Sequence, residues 1–125
     1  MAKKILFVDD EPDLLKVATF RLKKAGYEVV QAVDGQEALD ILAGGSPPDL
    51  ILLDLRLPVV SGYEVCIKVK GDEKTKNIPV ILFTASTQDI ARKAKEWGAE
   101  DYLLKPFEPE VLLEKVKRLL DKQGS

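Results

Sequence analysis

The chain has 125 residues, a net charge of −2 and 46% hydrophobic residues, which fits one globular domain with its own core. It has one cysteine, Cys66, and no histidine, which excludes an internal disulfide, Ser-His-Asp and Cys-His nucleophile systems, and His-ligated metals. With no signal-like N-terminus or long apolar run, we predict a cytoplasmic protein without membrane contact. The small net charge offers no general attraction for nucleic acid, so we expect the direct partners of this domain to be proteins.

Five short runs are predicted to be β-strands. Three are unbroken and apolar, as in parallel strands covered on both faces: 5–8, 50–53 and 80–83. Two weaker runs, 28–32 and 101–104, mix polar and apolar residues, which is typical of edge strands.

Apolar residues at helical spacing predict helices between and after these strands. The three clearest stripes are Leu14, Ala18, Leu22 and Ala25; Ile90, Ala94 and Trp97; and Leu112, Val116 and Leu119. Shorter helices are predicted over 35–43 and 62–70, with Asp34 and Glu37 as a capping pair at the start of the first. Gly26 and Gly98 are placed to end helices in a left-handed turn.

Strict alternation of strand and helix predicts right-handed crossovers and an α/β fold with a doubly wound, five-stranded parallel sheet. With the apolar strands inside, the strand order is predicted to be 2-1-3-4-5, a flavodoxin-like three-layer sandwich. We expect residues 1–122 to form this single domain and residues 123–125 to be a disordered tail or a cloning remnant.

Polar side chains are predicted to gather at the carboxyl edge of the sheet, where such folds bind ligands. The strands end in Asp9 and Asp10, in Asp54, in Thr84 and in Lys105. Three carboxylates in one pocket repel one another and call for a cation, and Mg²⁺ suits hard oxygen ligands and phosphate. A magnesium ion, a lysine and a hydroxyl around one aspartate favour phosphoryl transfer, with Asp54 as nucleophile. Singly, each residue could cap a helix or lie in solvent; their coincidence on four strand ends favours function.

Five motifs, in order and in the predicted strand context, carry a resemblance to the receiver domain of bacterial two-component response regulators: ILFVDDEPD, VDGQEAL, PDLILLDLRLPVVSG, IPVILFTAS and GAEDYLLKPF. The resemblance runs from about residue 4 to residue 121 and implies that Asp54 is the phosphoacceptor. It implies that Mg²⁺ is bound directly by Asp10, by Asp54 and by the backbone carbonyl of Arg56, and through water by Asp9.

The same resemblance implies a signalling switch that catalyses only its own phosphorylation and dephosphorylation. A sensor histidine kinase, a phosphotransfer protein or a small phosphodonor would supply the phosphoryl group, whose oxygens would contact Thr84 and Lys105. Thr84 and Tyr102 would then change the face made by the fourth helix, fifth strand and fifth helix, through which phosphorylation could promote a homodimer. The resemblance also implies a cis peptide between Lys105 and Pro106.

Three other functions remain as alternatives. A phosphohydrolase of the haloacid dehalogenase type would need a second carboxylate two residues after Asp54, where this chain has Arg56. A flavodoxin-like cofactor binder would need a Ser-, Thr- and Gly-rich loop after the first strand, where this chain is acidic. A phosphorylation-independent interaction module is disfavoured because no site residue is missing. The sequence leaves open the cognate kinase, the output, the phosphoryl lifetime, the oligomeric state, and whether the domain stands alone or within a longer regulator.

Three further features are expected to be structural. Cys66 is predicted to be a small core residue, and Trp97 to pack in the core or on the surface. The basic run Lys115, Lys117, Arg118 and Lys122 is predicted to be a solvated helix face. Glu11 is expected to line the rim of the site, and Asp13 to begin the first helix.

Overall fold

The computed structural model describes residues 2–85 and 89–124, with side chains up to residue 121. The strands are β1 (Lys4–Val8), β2 (Glu28–Ala32), β3 (Leu50–Asp54), β4 (Val80–Thr84) and β5 (Asp101–Leu104). The helices are α1 (Pro12–Lys24), α2 (Gly35–Ala43), α3 (Gly62–Gly71), α4 (Ile90–Glu96) and α5 (Pro109–Gly124). The predicted alternation of strand and helix is confirmed.

All neighbouring strands are parallel, and their order in the sheet is β2-β1-β3-β4-β5, as predicted. Val8 lies opposite Leu53 across the β1–β3 pair, and Asp54 lies opposite Phe83 across the β3–β4 pair. The carboxyl ends of the central strands therefore meet at one edge of the sheet, and the residues that follow them are brought together there.

The core lies in two layers, one on each face of the sheet. Leu6 and Leu53 belong to the layer covered by α2, α3 and α4, whereas Phe7 and Leu52 belong to the layer covered by α1 and α5. Successive strand residues point to opposite faces, so both faces of these apolar strands are buried. The three-layer α/β sandwich is confirmed.

The buried face of α1 differs slightly from the predicted stripe. Leu15 and Thr19 are buried along with Ala18 and Leu22, whereas Leu14 is only partly buried. The predicted Ala25 is exposed at the helix C-terminus. Polar Thr19 is tolerated inside because its hydroxyl accepts a hydrogen bond from the side-chain amide of Gln31, at 2.8 Å.

The fifth helix also differs from its predicted pattern. Leu120, rather than Leu119, completes the buried stripe with Leu112 and Val116. The helix continues through Gln123 and Gly124, where the sequence predicted a tail, and Ser125 lies outside the described residues.

The basic run on α5 is only partly a solvated face, so that prediction needs correction. The ammonium group of Lys115 lies 3.0 Å from Oδ1 of Asp101 at the start of β5, and Arg118 pairs with the same carboxylate. Lys117 is exposed as predicted, and the side chain of Lys122 lies outside the described residues. Two basic residues thus tie α5 to the edge of the sheet.

Several local predictions are confirmed. Asp34 caps α2 by accepting the backbone N–H of Glu37 at 2.7 Å. Gly26 and Gly98 have positive φ angles of 101° and 78°, in the region that disfavours other residues. The peptide bond between Lys105 and Pro106 is cis.

The aromatic contact between α3 and the end of α4 was not predicted. Trp97 is partly buried, and its ring centroid lies 4.7 Å from that of Tyr63, in an edge-on arrangement. Cys66 is fully buried as predicted, and its Sγ lies 3.5 Å from the carbonyl oxygen of Trp97. Within the described part of the chain, none of the helices is both long and apolar enough to cross a membrane.

Candidate functional site

The carboxylate of Asp54 stands at the end of β3 and is nearly inaccessible to solvent, with the residue 4% exposed. Its Oδ1 accepts the backbone N–H of Arg56 at 3.1 Å, and its Oδ2 accepts a hydrogen bond from the ammonium group of Lys105, also at 3.1 Å. The first contact follows from the turn that the chain makes after β3. Asp54 is therefore held in one orientation by its own backbone and by a distant cation.

Asp9, which follows β1 directly, is completely buried. Its Oδ1 accepts the backbone N–H of Glu11 at 2.8 Å. Its Oδ2 lies 2.9 Å from the ammonium nitrogen of Lys105, but this ion pair lacks the alignment of a hydrogen bond, and Oδ2 has no hydrogen-bond partner among the described residues. A buried carboxylate oxygen without a hydrogen bond can still accept one or bind a cation.

Lys105 connects the acidic groups. Its ammonium nitrogen lies 2.7 Å from Oε1 of Glu11, in addition to the contacts with Asp9 and Asp54. The backbone N–H of Lys105 donates to the carbonyl of Thr84 at 2.8 Å, which fixes the segment after β5 beside the end of β4. The side chain is only 13% exposed, so it acts as a positioned charge.

Burial and charge act in opposite directions on the three central groups. Burial raises the pKa of Asp9 and of Asp54, and the Lys105 ammonium offsets this only in part. Burial alone would lower the pKa of Lys105, but its contacts with Asp9, Glu11 and Asp54 raise it instead. Lys105 is therefore charged at neutral pH, and the buried carboxylates remain short of positive charge.

The residues present fit a divalent cation. Carboxylate oxygens of Asp9, Glu11 and Asp54 lie within 4.8 Å of one another. Among the residues that the structure describes, Lys105 is the one basic residue that pairs with all three. The buried Oδ2 of Asp9, which accepts no hydrogen bond from the described residues, points to the same conclusion. Hard oxygen donors in this number suit Mg²⁺.

The structure places the other predicted site residues as follows. Asp10 is exposed and lies outside the group of three carboxylates. Thr84 ends β4 and is 3% exposed, and Tyr102 in β5 is partly buried. Ala85 lies beside Lys105 in the wall of a cavity of about 360 Å³ that opens at the site.

Sequence reasoning placed Glu11 at the rim without assigning it a contact. In the structure its carboxylate makes the shortest of the three contacts with Lys105. No motif could have identified that contact, because the two residues are 94 positions apart and exposed carboxylates are common after strands.

Comparison with known proteins agrees with this fold and this site. Residues 5–117 match the response regulator receiver domain family. The DNA-binding dual master transcriptional regulator RpaA of Synechocystis sp. is 45% identical over 119 residues, which cover 94% of this chain and 48% of RpaA. This chain spans about half the length of the curated relatives it matches.

Solved structures agree as well. Chemotaxis response regulator CheY4 of Vibrio cholerae is 36% identical, with a TM-score of 0.88 over 96% of this chain and 100% of that chain. The receiver domain of sensor histidine kinase PA1611 from Pseudomonas aeruginosa, with a magnesium ion coordinated in its active site cleft, is 31% identical. Its TM-score is 0.87, over 97% of this chain and 99% of that chain. The five parallel strands with an acidic site at their carboxyl edge are thus a receiver fold. The chain belongs to the response regulator receiver domain family.

Proposed function

We propose that this chain is a phosphorylation-activated signalling switch in which Asp54 accepts a phosphoryl group. The observation that carries the proposal is the burial of Asp54 beside Lys105 and a second buried carboxylate, Asp9. A structural ion pair would need only one carboxylate for one lysine. The surplus of buried negative charge is instead what a site for Mg²⁺ and a phosphoryl group requires.

The chain's own groups supply most of the chemistry. The Arg56 N–H holds Oδ1 of Asp54, which leaves the other oxygen to attack phosphorus while the bond between phosphorus and its donor breaks. In the proposal, the Lys105 ammonium and the Thr84 hydroxyl then contact the oxygens of the transferred group. Mg²⁺, when bound, supplies positive charge that neutralises the phosphoryl oxygens. Asp9, Asp10, Asp54 and the carbonyl of Arg56 are the proposed ligands.

The proposed partners follow from membership of the receiver domain family, and the absence of histidine in the chain agrees with a phosphohistidine on a partner. A sensor histidine kinase or a phosphotransfer protein would supply the phosphoryl group, and a small phosphodonor could replace it. The catalysis proposed is confined to phosphorylation and dephosphorylation of the chain itself. A multi-turnover phosphohydrolase is disfavoured because Arg56 occupies the position of the second carboxylate.

The proposed output is the face formed by α4, β5 and α5, within a receiver domain spanning residues 1–122. Thr84 and Tyr102 belong to adjacent strands, β4 and β5, which supports a coupled movement of the two side chains on phosphorylation. The altered face would control a partner or an output domain, or would form a homodimer. No direct contact with nucleic acid is proposed for this domain, and we propose a cytoplasmic location.

The test uses the wild type and Asp54→Asn, which keeps the shape of the side chain. With Mg²⁺ and acetyl phosphate, we expect the wild type to gain the mass of one phosphoryl group and the variant to gain none. With Mg²⁺ and beryllofluoride, amide NMR signals should move in the wild type around Asp54, Thr84 and Tyr102. Equal modification of both proteins would show that Asp54 is not the acceptor. Unchanged spectra of the wild type would favour a phosphorylation-independent interaction module.

A further inference from the structure

We propose that Glu11 is a positioning residue that competes with a phosphoryl group on Asp54 for the ammonium group of Lys105. The inference rests on the proposed function. It assigns to Glu11 a role separate from metal binding and from the chemical step, namely to set how readily Lys105 turns toward the phosphoryl oxygens.

The first argument is the geometry around Lys105. Its ammonium nitrogen lies 2.7 Å from Glu11, 2.9 Å from Asp9 and 3.1 Å from Asp54. A lysine ammonium has three N–H donors, and three carboxylates surround it here. When Oδ2 of Asp54 bonds to phosphorus, it releases its contact with Lys105, and the phosphoryl oxygens then share the ammonium group with the two remaining carboxylates, Glu11 and Asp9.

The second argument is the difference between the three carboxylates. Asp9 and Asp54 are buried, and each is held by a backbone N–H through its Oδ1. The side chain of Glu11 is 60% exposed, so water can solvate its carboxylate as soon as it leaves Lys105. Of the two carboxylates that remain beside Lys105 after phosphorylation of Asp54, Glu11 is therefore released at the lower cost.

The third argument is that, among the described residues, the Glu11 carboxylate forms no hydrogen bond or ion pair other than that with Lys105. Glu11 is the N-cap residue of α1, yet its side chain makes no capping hydrogen bond, although N-cap side chains commonly accept one from the first turn. Its backbone is fixed by the N–H bond to Asp9, which directs the side chain across to Lys105. A substitution of the Glu11 side chain leaves this backbone bond in place, so the effect of losing the contact with Lys105 can be measured separately from any change in the backbone.

The experiment compares the wild type with Glu11→Gln, which removes the charge and keeps the shape. Asp13→Asn is the matched control, because Asp13 is exposed in the first turn of α1 and lies outside the three carboxylates that contact Lys105. Two titrations are followed by amide NMR: Mg²⁺ alone, then beryllofluoride at saturating Mg²⁺. The side-chain signal of Lys105 is recorded at each point.

We expect Glu11→Gln to bind beryllofluoride about two- to five-fold more tightly than the wild type, since an exposed ion pair is released. Asp13→Asn should stay within about 1.5-fold of the wild type. The Lys105 signal of the ligand-free protein should move in Glu11→Gln and stay in place in Asp13→Asn. Glu11→Ala, which also removes the acceptor, should show the same direction of change.

Three results would contradict the inference. Equal beryllofluoride affinities in Glu11→Gln and Asp13→Asn overturn it while leaving the proposed function intact. Weaker Mg²⁺ binding by Glu11→Gln, with unchanged beryllofluoride affinity at saturating Mg²⁺, assigns Glu11 to the metal and also overturns it. A wild type that binds Mg²⁺ but not beryllofluoride overturns the proposed function and this inference together.

Discussion

A Cβ atom at Gly62 would lie 2.2 Å from the carbonyl oxygen of Asp54. The backbone N–H of Gly62 also donates to the carbonyl of Leu55, at 3.2 Å. The first residue of α3 is thus packed directly against the backbone of the proposed phosphoacceptor. The loop between them, which carries Arg56, is therefore closed at its base by direct backbone contacts.

Gly62→Ala should consequently lower the free energy of unfolding by about 2–3 kcal/mol, because backbone rather than a flexible side chain must move. Gly71→Ala is the control: it lies at the other end of the same helix, and an added Cβ meets nothing within 4 Å. That substitution should be neutral or stabilising by up to about 1 kcal/mol. Urea unfolding measures both, and equal midpoints for the two variants would contradict the packing argument.

Val59 has a φ angle of 68°, which is unfavourable for a β-branched residue. It lies at the centre of a tight turn in which the N–H of Val60 donates to the carbonyl of Pro58 at 2.8 Å. The side chain is not needed for packing, since the residue is 79% exposed. Val59→Gly should therefore raise the free energy of unfolding by up to about 1 kcal/mol, after the entropy cost of glycine is subtracted.

Val59→Ala separates the cost of a Cβ atom at positive φ from the effect of losing the valine side chain. Alanine keeps the Cβ atom at positive φ, so it should recover only part of the gain. Thermal unfolding of both variants gives the comparison. A glycine variant less stable than the alanine variant would show that Val59 is not strained.

Asp54→Asn should stabilise the metal-free protein, because burial raises the pKa of Asp54 above its unfolded value of 3.8. The folded state then holds the proton more tightly than the unfolded state. The wild type should therefore lose stability relative to the variant as pH rises from about 3.8 toward neutrality. Urea midpoints in EDTA at several pH values test this, and a constant difference between the two proteins would contradict it.

Magnesium should reverse that difference. A ligand at 100 times its dissociation constant stabilises the folded state by about 2.7 kcal/mol, and the wild type should gain about this much. Asp54→Asn should gain much less, because the variant lacks one proposed carboxylate ligand. Equal gains would remove Asp54 from the proposed ligand set.

Lys70 joins three segments of the chain. Its ammonium group donates to the carbonyl of Ile78 at 2.9 Å and pairs with Glu100 at 2.9 Å, while Glu100 accepts the N–H of Val80. The Lys70 side chain is only 14% exposed. Lys70→Met should therefore cost roughly 2 kcal/mol of unfolding free energy, because these acceptors lose their donor.

Arg92→Met is the matched control for this prediction. Arg92 pairs with Asp89 and Glu96, but its side chain is 58% exposed. Exposed pairs contribute little to stability because water solvates both partners, so this variant should unfold at nearly the same urea concentration as the wild type. If Lys70→Met cost no more than Arg92→Met, the ion pair with Glu100 would be only a surface contact.

Cys66 provides a prediction at alkaline pH. Burial raises the pKa of its thiol from 9.0 to about 11. The folded state keeps the proton that the unfolded state releases, so the contribution is complete below pH 9 and is lost as pH rises toward 11. The stability advantage of the wild type over Cys66→Ala should shrink by about 1.4 kcal/mol per pH unit across that interval. Urea unfolding at several alkaline pH values tests it, and a constant advantage would refute it.

The sheet was predictable because its central strands are buried on both faces and therefore read as continuous apolar runs. Once the strand order followed, topology placed Asp9, Asp54 and Lys105 at one edge. The contact between Glu11 and Lys105 was not predictable, because a flexible exposed side chain can reach several partners. The strain at Val59 was not predictable either, since valine rarely adopts a positive φ angle.

The sequence also did not determine which residues of each helix face the core. A stripe of apolar residues shows that a helix has a buried face, but neighbouring positions such as Leu119 and Leu120 fit that face almost equally well. Which of the two is buried depends on how the helix crosses the sheet. The pairing of Asp101 with Lys115 depends on the same crossing, because it joins α5 to the start of β5.

Trp97 is the single tryptophan of the chain, and it lies against Tyr63 at the junction of α3 and α4. Its emission therefore comes from one place, at the end of a helix that forms part of the proposed output face. The unlabelled wild-type protein thus carries an optical probe of that face. Its fluorescence during rapid mixing can time any rearrangement there against events at Asp54.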